Sequence, residues 1–315
     1  MKRREFLKLS AGVAATAALS PVRAQANVKE IRIGYQNSGV LPIALQRAAL
    51  EQQFAPQEIG VKWFEFASGL PLLEAINAGS VDYGAVGDTP PIFAQSAGAA
   101  MFYAAAQPAA NGQGILVPAA SSIRSVAELK GRRVGFTRGS SAHNLVVQAL
   151  EQAGLDAADI TPVYLTPSDA AVAFANGSID AWSIWDPYYA IGEARQGGRV
   201  LVDGSDIGKT TSFFVASRDL AKNRGPVLQQ LIDVTAATAK WAEAHRDSVA
   251  RSLSVVTGIA QEIQSVAAGR ASFTVGPVTE DIIRAQQGFA DRFFKLGAIA
   301  RPVVVRDAVW RPAQT

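Results

Sequence analysis

One pattern occurs twice in this chain and restricts its possible folds more than any composition figure. Gly79-Ser-Val-Asp-Tyr-Gly-Ala-Val-Gly-Asp88 has a counterpart in Gly177-Ser-Ile-Asp-Ala-Trp-Ser-Ile-Trp-Asp186. Upstream of each lies a strand, a polar turn and a helix. In the first copy these are Val61–Phe66, Ser68 and Leu72–Ala78; in the second they are Val163–Leu165, Thr166 and Ala170–Ala175. Further upstream, Ile31–Tyr35 with a helix through Ala49-Leu-Glu-Gln52 matches Val134–Phe136 with Ala149-Leu-Glu-Gln152. Any two α/β units share some of this patterning. Three matches in the same order, about a hundred residues apart, predict two lobes of similar topology.

Each copy reads strand–helix–strand–helix–strand. The strand runs are short and apolar and are bounded by Gly, Pro and Ser, as buried parallel strands should be. The fold class expected is therefore α/β, each lobe an open, mostly parallel sheet with helices on both faces. Ligands of such sheets sit outside the carboxyl ends of the strands. Gln36–Gly39, Ala67–Gly69, Gly87–Thr89, Gly139–Ser141 and Trp185–Pro187 all fall at that edge, so the binding site is expected in a cleft between the lobes. Between the copies, Met101–Gln107 and Gly114–Pro118 read as strands around the first crossing, and Ser212–Ser217 as the returning one. Residues 27–110 and 217–315 are then assigned to the first lobe and 111–216 to the second. Beyond the return, helices are expected over Val227–Ala244, Asp247–Leu253 and Thr279–Leu296.

Residues 1–26 read as an export signal outside the folded unit. Lys2, Arg3, Arg4 and Lys8 make a basic start, Ala11–Leu19 is an apolar run too short to span a membrane, and Ala24-Gln-Ala26 fits a cleavage site. Arg3-Arg4-Glu-Phe-Leu-Lys8 resembles a twin-arginine signal; a general secretory signal containing two arginines is the alternative. This segment holds five of the 30 Lys and Arg residues and one of the 27 Asp and Glu residues. The remainder thus carries 25 basic against 26 acidic groups, a net charge near −1. The basic character of the whole chain belongs to its leader, and no electrostatic case for nucleic-acid binding remains. The chain has no cysteine and two histidines, His143 and His245. Disulfides, thiolate catalysis, a lipidated N-terminal cysteine and a His-rich metal site are excluded, and no cofactor is expected. An exported, unanchored monomer is the expectation.

The second copy contains the clearest binding feature. Val134-Gly-Phe-Thr137 ends in a break at Gly139, offers Ser140 and Ser141, and continues as a helix whose Leu145, Val146, Ala149, Leu150 and Ala153 share one face. Unpaired N–H groups at that helix start, with the positive end of its dipole, would hold an anion; Ser140 as a simple N-cap is the other reading. Asp88 before Thr89-Pro-Pro91 and Asp186 before Pro187 read either as caps or as partners for a ligand amine. His143 reads as a cap-region hydrogen bond or a ligand contact, and Trp185 as a core ring or a wall for an alkyl tail. Helix starts alone would suffice for nitrate, sulfate or a sulfonate without any Lys or Arg, in a site indifferent to pH near neutrality. No nucleophile–base–orienter set is present, so no catalytic residues are assigned.

The stretch Ser68-Gly-Leu-Pro-Leu-Leu-Glu-Ala-Ile-Asn-Ala-Gly-Ser-Val-Asp-Tyr-Gly-Ala-Val-Gly-Asp-Thr-Pro-Pro-Ile-Phe-Ala-Gln95 resembles the aliphatic-sulfonate-binding proteins of ABC importers. So do Ser125-Val-Ala-Glu-Leu-Lys-Gly131 with Gly139-Ser-Ser-Ala-His143, and Gly177–Pro187. The resemblance covers nearly all of the chain after residue 26. It implies a periplasmic binding protein of the two-lobed type II fold that captures an alkanesulfonate for an inner-membrane permease, in the service of sulfur acquisition. It puts Gln36, Ser68, Gly87, Thr89, Ser140, Ser141 and Trp185 at pocket positions, with His143 and Asp186 beside them. Ser38, Gly69, Asp88 and Gly139 complete the expected binding set from their place at the sheet edge. The wider superfamily also holds taurine-, nitrate- and bicarbonate-binding proteins and thiamine-precursor binders. One relative that became a desulfinase uses a catalytic cysteine, which this chain lacks.

Overall fold

In a computed structural model, the structure describes residues 29–108, 112–208 and 210–312. The expected leader, residues 1–26, lies outside them. The first lobe begins β1 (Glu30–Tyr35), α1 (Val40–Gln46), α2 (Ala49–Phe54), β2 (Gly60–Glu65), α3 (Gly69–Asn77), β3 (Tyr83–Val86), α4 (Thr89–Ser96) and β4 (Met101–Pro108). The second comprises β5 (Gln113–Pro118), β6 (Arg133–Phe136), α5 (Ser141–Gln152), β7 (Thr161–Tyr164), α6 (Pro167–Ala175), β8 (Ala181–Trp185), α7 (Tyr188–Arg195), β9 (Gly198–Asp203) and α8 (Gly204–Ile207). The chain then returns through β10 (Thr211–Ser217), α9 (Arg218–Asn223), α10 (Gly225–Ala244), α11 (Arg246–Thr257), α12 (Gln261–Arg270) and α13 (Glu280–Lys295).

The two sheets have the same plan. Their orders are β2-β1-β3-β10-β4 and β7-β6-β8-β5-β9. In each, the first three strands are parallel, and the strand contributed by the crossing segment, β10 or β5, runs antiparallel to both neighbours. The repeated Gly-Ser-Val/Ile-Asp motif proves to be a fastener at the opposite edge from the cleft. Asp82 Oδ2 accepts from the backbone N–H and Nε of Arg32 at 2.9 and 3.0 Å, and Oδ1 accepts from its Nη2 at 2.8 Å. Asp180 and Arg133 reproduce these contacts at 2.8, 3.1 and 2.9 Å, and the arginines also reach the carbonyls of Gly79 and Gly177. Each motif thereby ties the first residues of a central strand to the turn that precedes its parallel neighbour.

Alternating side chains of the strands feed an apolar cluster on each sheet face. Phe214 and Ala216 of β10 join Ile31, Ile33 and Leu228 on one side, while Phe213 and Val215 join Leu72, Ile92 and Phe293 on the other. In the second lobe Ile115 and Val117 pack under α5, and Leu116, Trp182 and Ile184 under α6 and α7.

Three expectations change. The strand Thr211–Ser217 belongs to the first sheet, so the return between lobes is complete before Thr211 and not at 216/217. The helix through Ala49 is two helices broken at Ala48, whose φ of 50° is left-handed, whereas its counterpart α5 is continuous over twelve residues. Strand β9 and helix α12 were not anticipated. In α12 the buried residues Ile263, Gln264, Ala267 and Ala268 include a polar one and two alanines, which gives little apolar contrast to read.

Candidate functional site

The carboxyl edges of the two sheets face each other across a cleft of about 200 Å³. Gln36 follows β1, Gly87 and Asp88 follow β3, Thr211 and Ser212 open β10, and Gln107 and Pro108 close β4; all line the first lobe's side. From the second lobe come Ser140 and Ser141, Trp185 and Asp186, and Gly112 with Gln113. Of the thirteen expected residues the cleft brings together Gln36, Ser38, Gly69, Gly87, Asp88, Ser140, Ser141, Trp185 and Asp186. Ser68, Thr89, Gly139 and His143 stand behind its walls.

Glycines let the walls approach closely. A Cβ on Gly69 would fall 2.6 Å from Cγ of Pro90, so only glycine lets the starts of α3 and α4 pack together. A Cβ on Gly87 would fall 2.0 Å from Oγ of Ser141, across the lobe boundary. Gln36 is held by its Nε2, which donates to the carbonyl of Ala85 at 3.0 Å.

The capping readings hold for two residues. Ser140 Oγ accepts from the N–H of His143 at 3.3 Å and donates to the carbonyl of Thr137 at 2.6 Å, closing the start of α5. Asp88 is 1% exposed, and both its oxygens are occupied. Oδ1 takes the N–H and hydroxyl of Thr89 at 2.7 and 2.9 Å, and Oδ2 takes Nδ2 of Asn144, from the other lobe, at 2.8 Å. Asp88 therefore has no free oxygen for a ligand amine. Thr89, fully buried, spends its hydroxyl on Asp88.

Of its two readings, His143 takes the cap-region hydrogen bond rather than the ligand contact. Its ring stacks on Phe136 at 5.0 Å and meets Phe93 and Phe293 of the first lobe at 6.0 and 5.2 Å, while Nδ1 accepts from the N–H of Gly139 at 3.2 Å. It is a packing residue of the lobe–lobe seam. Burial, aided by the charge of Arg138, lowers its pKa to about 4, so the ring is neutral at physiological pH. Gly139, with φ +67°, makes the turn that allows this bond. Ser68 occupies the N-cap position of α3, buried, without a side-chain capping bond.

Asp186 behaves differently from Asp88. Oδ1 accepts from the N–H of Ala190 at 3.0 Å, but Oδ2 is buried and has no hydrogen-bond partner among the described residues. Arg270, the last residue of α12, brings Nη1 to 3.5 Å from Oδ1, gives Nη2 to Glu193 at 2.6 Å, and lies 4.4 Å over the ring of Tyr189. Burial dominates and raises the Asp186 pKa to about 6; Arg270 opposes the shift and Glu193 adds to it. Arg270 adds a cationic side chain to a cleft for which helix starts alone were expected to suffice, and the raised pKa of Asp186 adds a titrating group to a site expected to be indifferent to pH. Sequence reasoning missed Arg270 because α12 lies outside the repeated units, far along the chain from every other cleft residue. Gln107, Gln113, Gln264 and Phe273 were missed for a related reason: their motifs carry no signal, and only packing brings them to the cleft.

Contacts between the lobes flank the cleft on two sides. On one are the Asp88–Asn144 bond, His143, Val147 packed into the first lobe's cluster, and Arg292 Nε on Glu151 at 2.9 Å. On the other are Arg270 with Glu193, and Arg195 on Glu262 at 2.8 Å. The lobes are closed on each other.

Comparison with known proteins agrees with this architecture. The model of the NMT1-like family matches residues 24–256. A protein of Escherichia coli K12 named for binding aliphatic sulfonates is 38% identical over 99% of this chain and 98% of its own length. A Bacillus subtilis protein of the same name is 34% identical over 90% and 86%. The solved alkanesulfonate-binding protein of Xanthomonas axonopodis pv. citri, bound to MOPS, superposes with a TM-score of 0.86 at 40% identity, covering 90% of this chain and 98% of that one. With 38% identity over nearly its whole length and a shared fold, the chain belongs to the NMT1-like family and to the aliphatic-sulfonate-binding proteins.

Proposed function

We propose that this chain is the solute receptor of an ABC importer, and that its lobes close on an alkanesulfonate and deliver it unchanged to a membrane permease. The observation that carries this reading is the Gly87–Ser141 seam. Two helix starts, Gly69 of α3 and Ser141 of α5, meet there inside a cleft walled by two lobes. A sulfonate is a permanent anion with three acceptor oxygens, and it suits the N–H groups and partial positive charge gathered at such starts. Trp185, with Leu253 and Phe273, supplies apolar wall for a carbon chain. The binding set proposed is Gln36, Ser38, Gly69, Gly87, Ser141, Trp185, Asp186 and Arg270, with no metal or cofactor. Residues 1–26 would direct export to the periplasm and be removed, leaving an unanchored monomer.

The test is calorimetric titration of residues 27–315, freed of ligand by unfolding and refolding, with ethane- to octanesulfonate, sulfate and nitrate. Micromolar or tighter binding of alkanesulfonates, with sulfate and nitrate silent, is expected. Binding of nitrate or sulfate in preference to every sulfonate would replace the proposed ligand.

A further inference from the structure

The end of the cleft farthest from the helix starts is a loop that two side chains outside the cleft hold in place. Sheet order sets its distance. Gly276 bridges Ala106 on the open edge of β4, its N–H donating at 2.9 Å and its carbonyl accepting at 2.8 Å. Residues 271–276 therefore run one strand beyond β4 and three strand spacings from β3, roughly 14 Å from the strand that leads to Gly87. Ala271, Ser272 and Phe273 line the cleft. Phe273 is buried and joins the apolar cluster of Leu253 and Ala268. Glu243, near the end of α10, accepts the N–H of Phe273 on Oε2 at 3.2 Å and Nη2 of Arg246 on Oε1 at 2.6 Å. Arg246, at the start of α11, donates Nη1 to the carbonyls of Ala268 and Ala271, the latter at 3.0 Å. Its guanidinium also lies 5.3 Å over the ring of Phe273. A cation at those carbonyls closes the end of α12 with the charge that its dipole favours. Neither Glu243 nor Arg246 lines the cleft.

We propose that Glu243 and Arg246 are positioning residues that set the longest carbon chain this receptor accepts, by fixing Phe273 as the end wall of the cleft. The inference rests on the reading of the cleft as a sulfonate site. Each methylene laid against apolar wall gains affinity through the area it buries, until the chain meets a ring that is held in place and must displace it or bend away. A sulfonate too short to reach the wall is indifferent to how the wall is held. Chain length is thus limited by a charged pair that the ligand does not touch.

The experiment is calorimetry of ligand-free protein with the unbranched alkanesulfonates from ethane- to decanesulfonate. Wild-type affinity is expected to rise with chain length to an optimum and then to fall. Arg246→Leu, which keeps an apolar stem, should leave ethanesulfonate within about twofold of wild type. It should tighten binding of the chain two carbons past the optimum about tenfold, the worth of two newly buried methylenes. Glu243→Ala, at an exposed position, should shift the profile in the same direction. Arg246→Lys, which keeps a cation beside the carbonyls, should return most of the wild-type limit. A limit unmoved in either Arg246→Leu or Glu243→Ala would overturn the inference. So would an equal loss at every chain length, the mark of a pair that only stabilises the fold, and so would a wild-type series with no limit up to decanesulfonate. If no sulfonate binds the wild-type protein, the sulfonate reading itself fails and takes this inference with it.

Discussion

At the scale of single residues, two chemically identical ion pairs differ in their surroundings, and that difference sets their worth. The carboxylate of Asp82 is 3% exposed and also receives Nη2 of Arg224 at 3.1 Å, whereas that of Asp180 is 28% exposed. Removing one partner of a buried pair strands the other, which costs about 3–5 kcal/mol, while exposed pairs contribute about 1 kcal/mol or less. Asp82→Asn is therefore expected to lower unfolding stability in urea by roughly 3 kcal/mol and Asp180→Asn by roughly 1 kcal/mol. Equal losses would mean that burial does not separate the two copies. The adjacent serines should also separate. Ser140→Ala removes a cap and should cost about 1 kcal/mol of stability. Ser141→Ala should leave stability nearly intact and weaken sulfonate binding by about 1–2 kcal/mol. Calorimetry beside thermal melts checks both, and the reverse assignment would exchange the cap and the ligand group. Sequence resolved neither question, because Ser140 and Ser141 are the same residue type one step apart, and only their hydrogen-bond partners distinguish them.

At the scale of elements, α5 of one lobe approaches the end of β3 of the other where Gly87 has no side chain. A methyl on Gly87 would stand 2.0 Å from Ser141 Oγ. Gly87→Ala is expected to turn the Ser141 hydroxyl to another rotamer and reduce sulfonate affinity about tenfold, with the melting of the ligand-free protein little changed. Calorimetry checks this, and affinity equal to wild type would contradict the contact. The strands, the order of the helices and the duplication were legible from periodicity and from the Gly-Ser-Val/Ile-Asp motif. The break at Ala48, the edge strand β9 and the helix α12 were not. A left-handed alanine, a short half-buried edge strand and a helix rich in alanine carry little hydrophobic contrast, so tertiary packing decides them.

At the scale of the whole molecule, two buried titratable groups act on stability in opposite directions over the same pH range. His143 has its pKa lowered from 6.5 to about 4, so its contribution is full above pH 6.5 and is lost as pH falls toward 4. Asp186 has its pKa raised from 3.8 to about 6, so its contribution is full below pH 3.8 and is lost as pH rises through 6. Each change corresponds to roughly 3 kcal/mol. In the ligand-free protein these two contributions should thus nearly cancel between pH 4 and 6.5. His143→Gln should fall in stability as pH rises, and Asp186→Asn should gain it. Denaturant melts at four or five pH values measure these slopes, and parallel profiles for the two variants would refute the opposition.

The sequence by itself determined the duplicated α/β plan, the sheet edge on which binding residues gather and the family. These depend on local periodicity and on short contiguous motifs, which a linear chain displays directly. Tertiary structure alone decided which of those edge residues face the cleft. It turned His143 into the seam and Asp88 into an inter-lobe bond. It also brought Arg270 from α12 to Asp186, joining residues 84 positions apart. Charge pairing and burial are properties of three-dimensional neighbours, and the order of residues along the chain does not encode those neighbours in any local pattern.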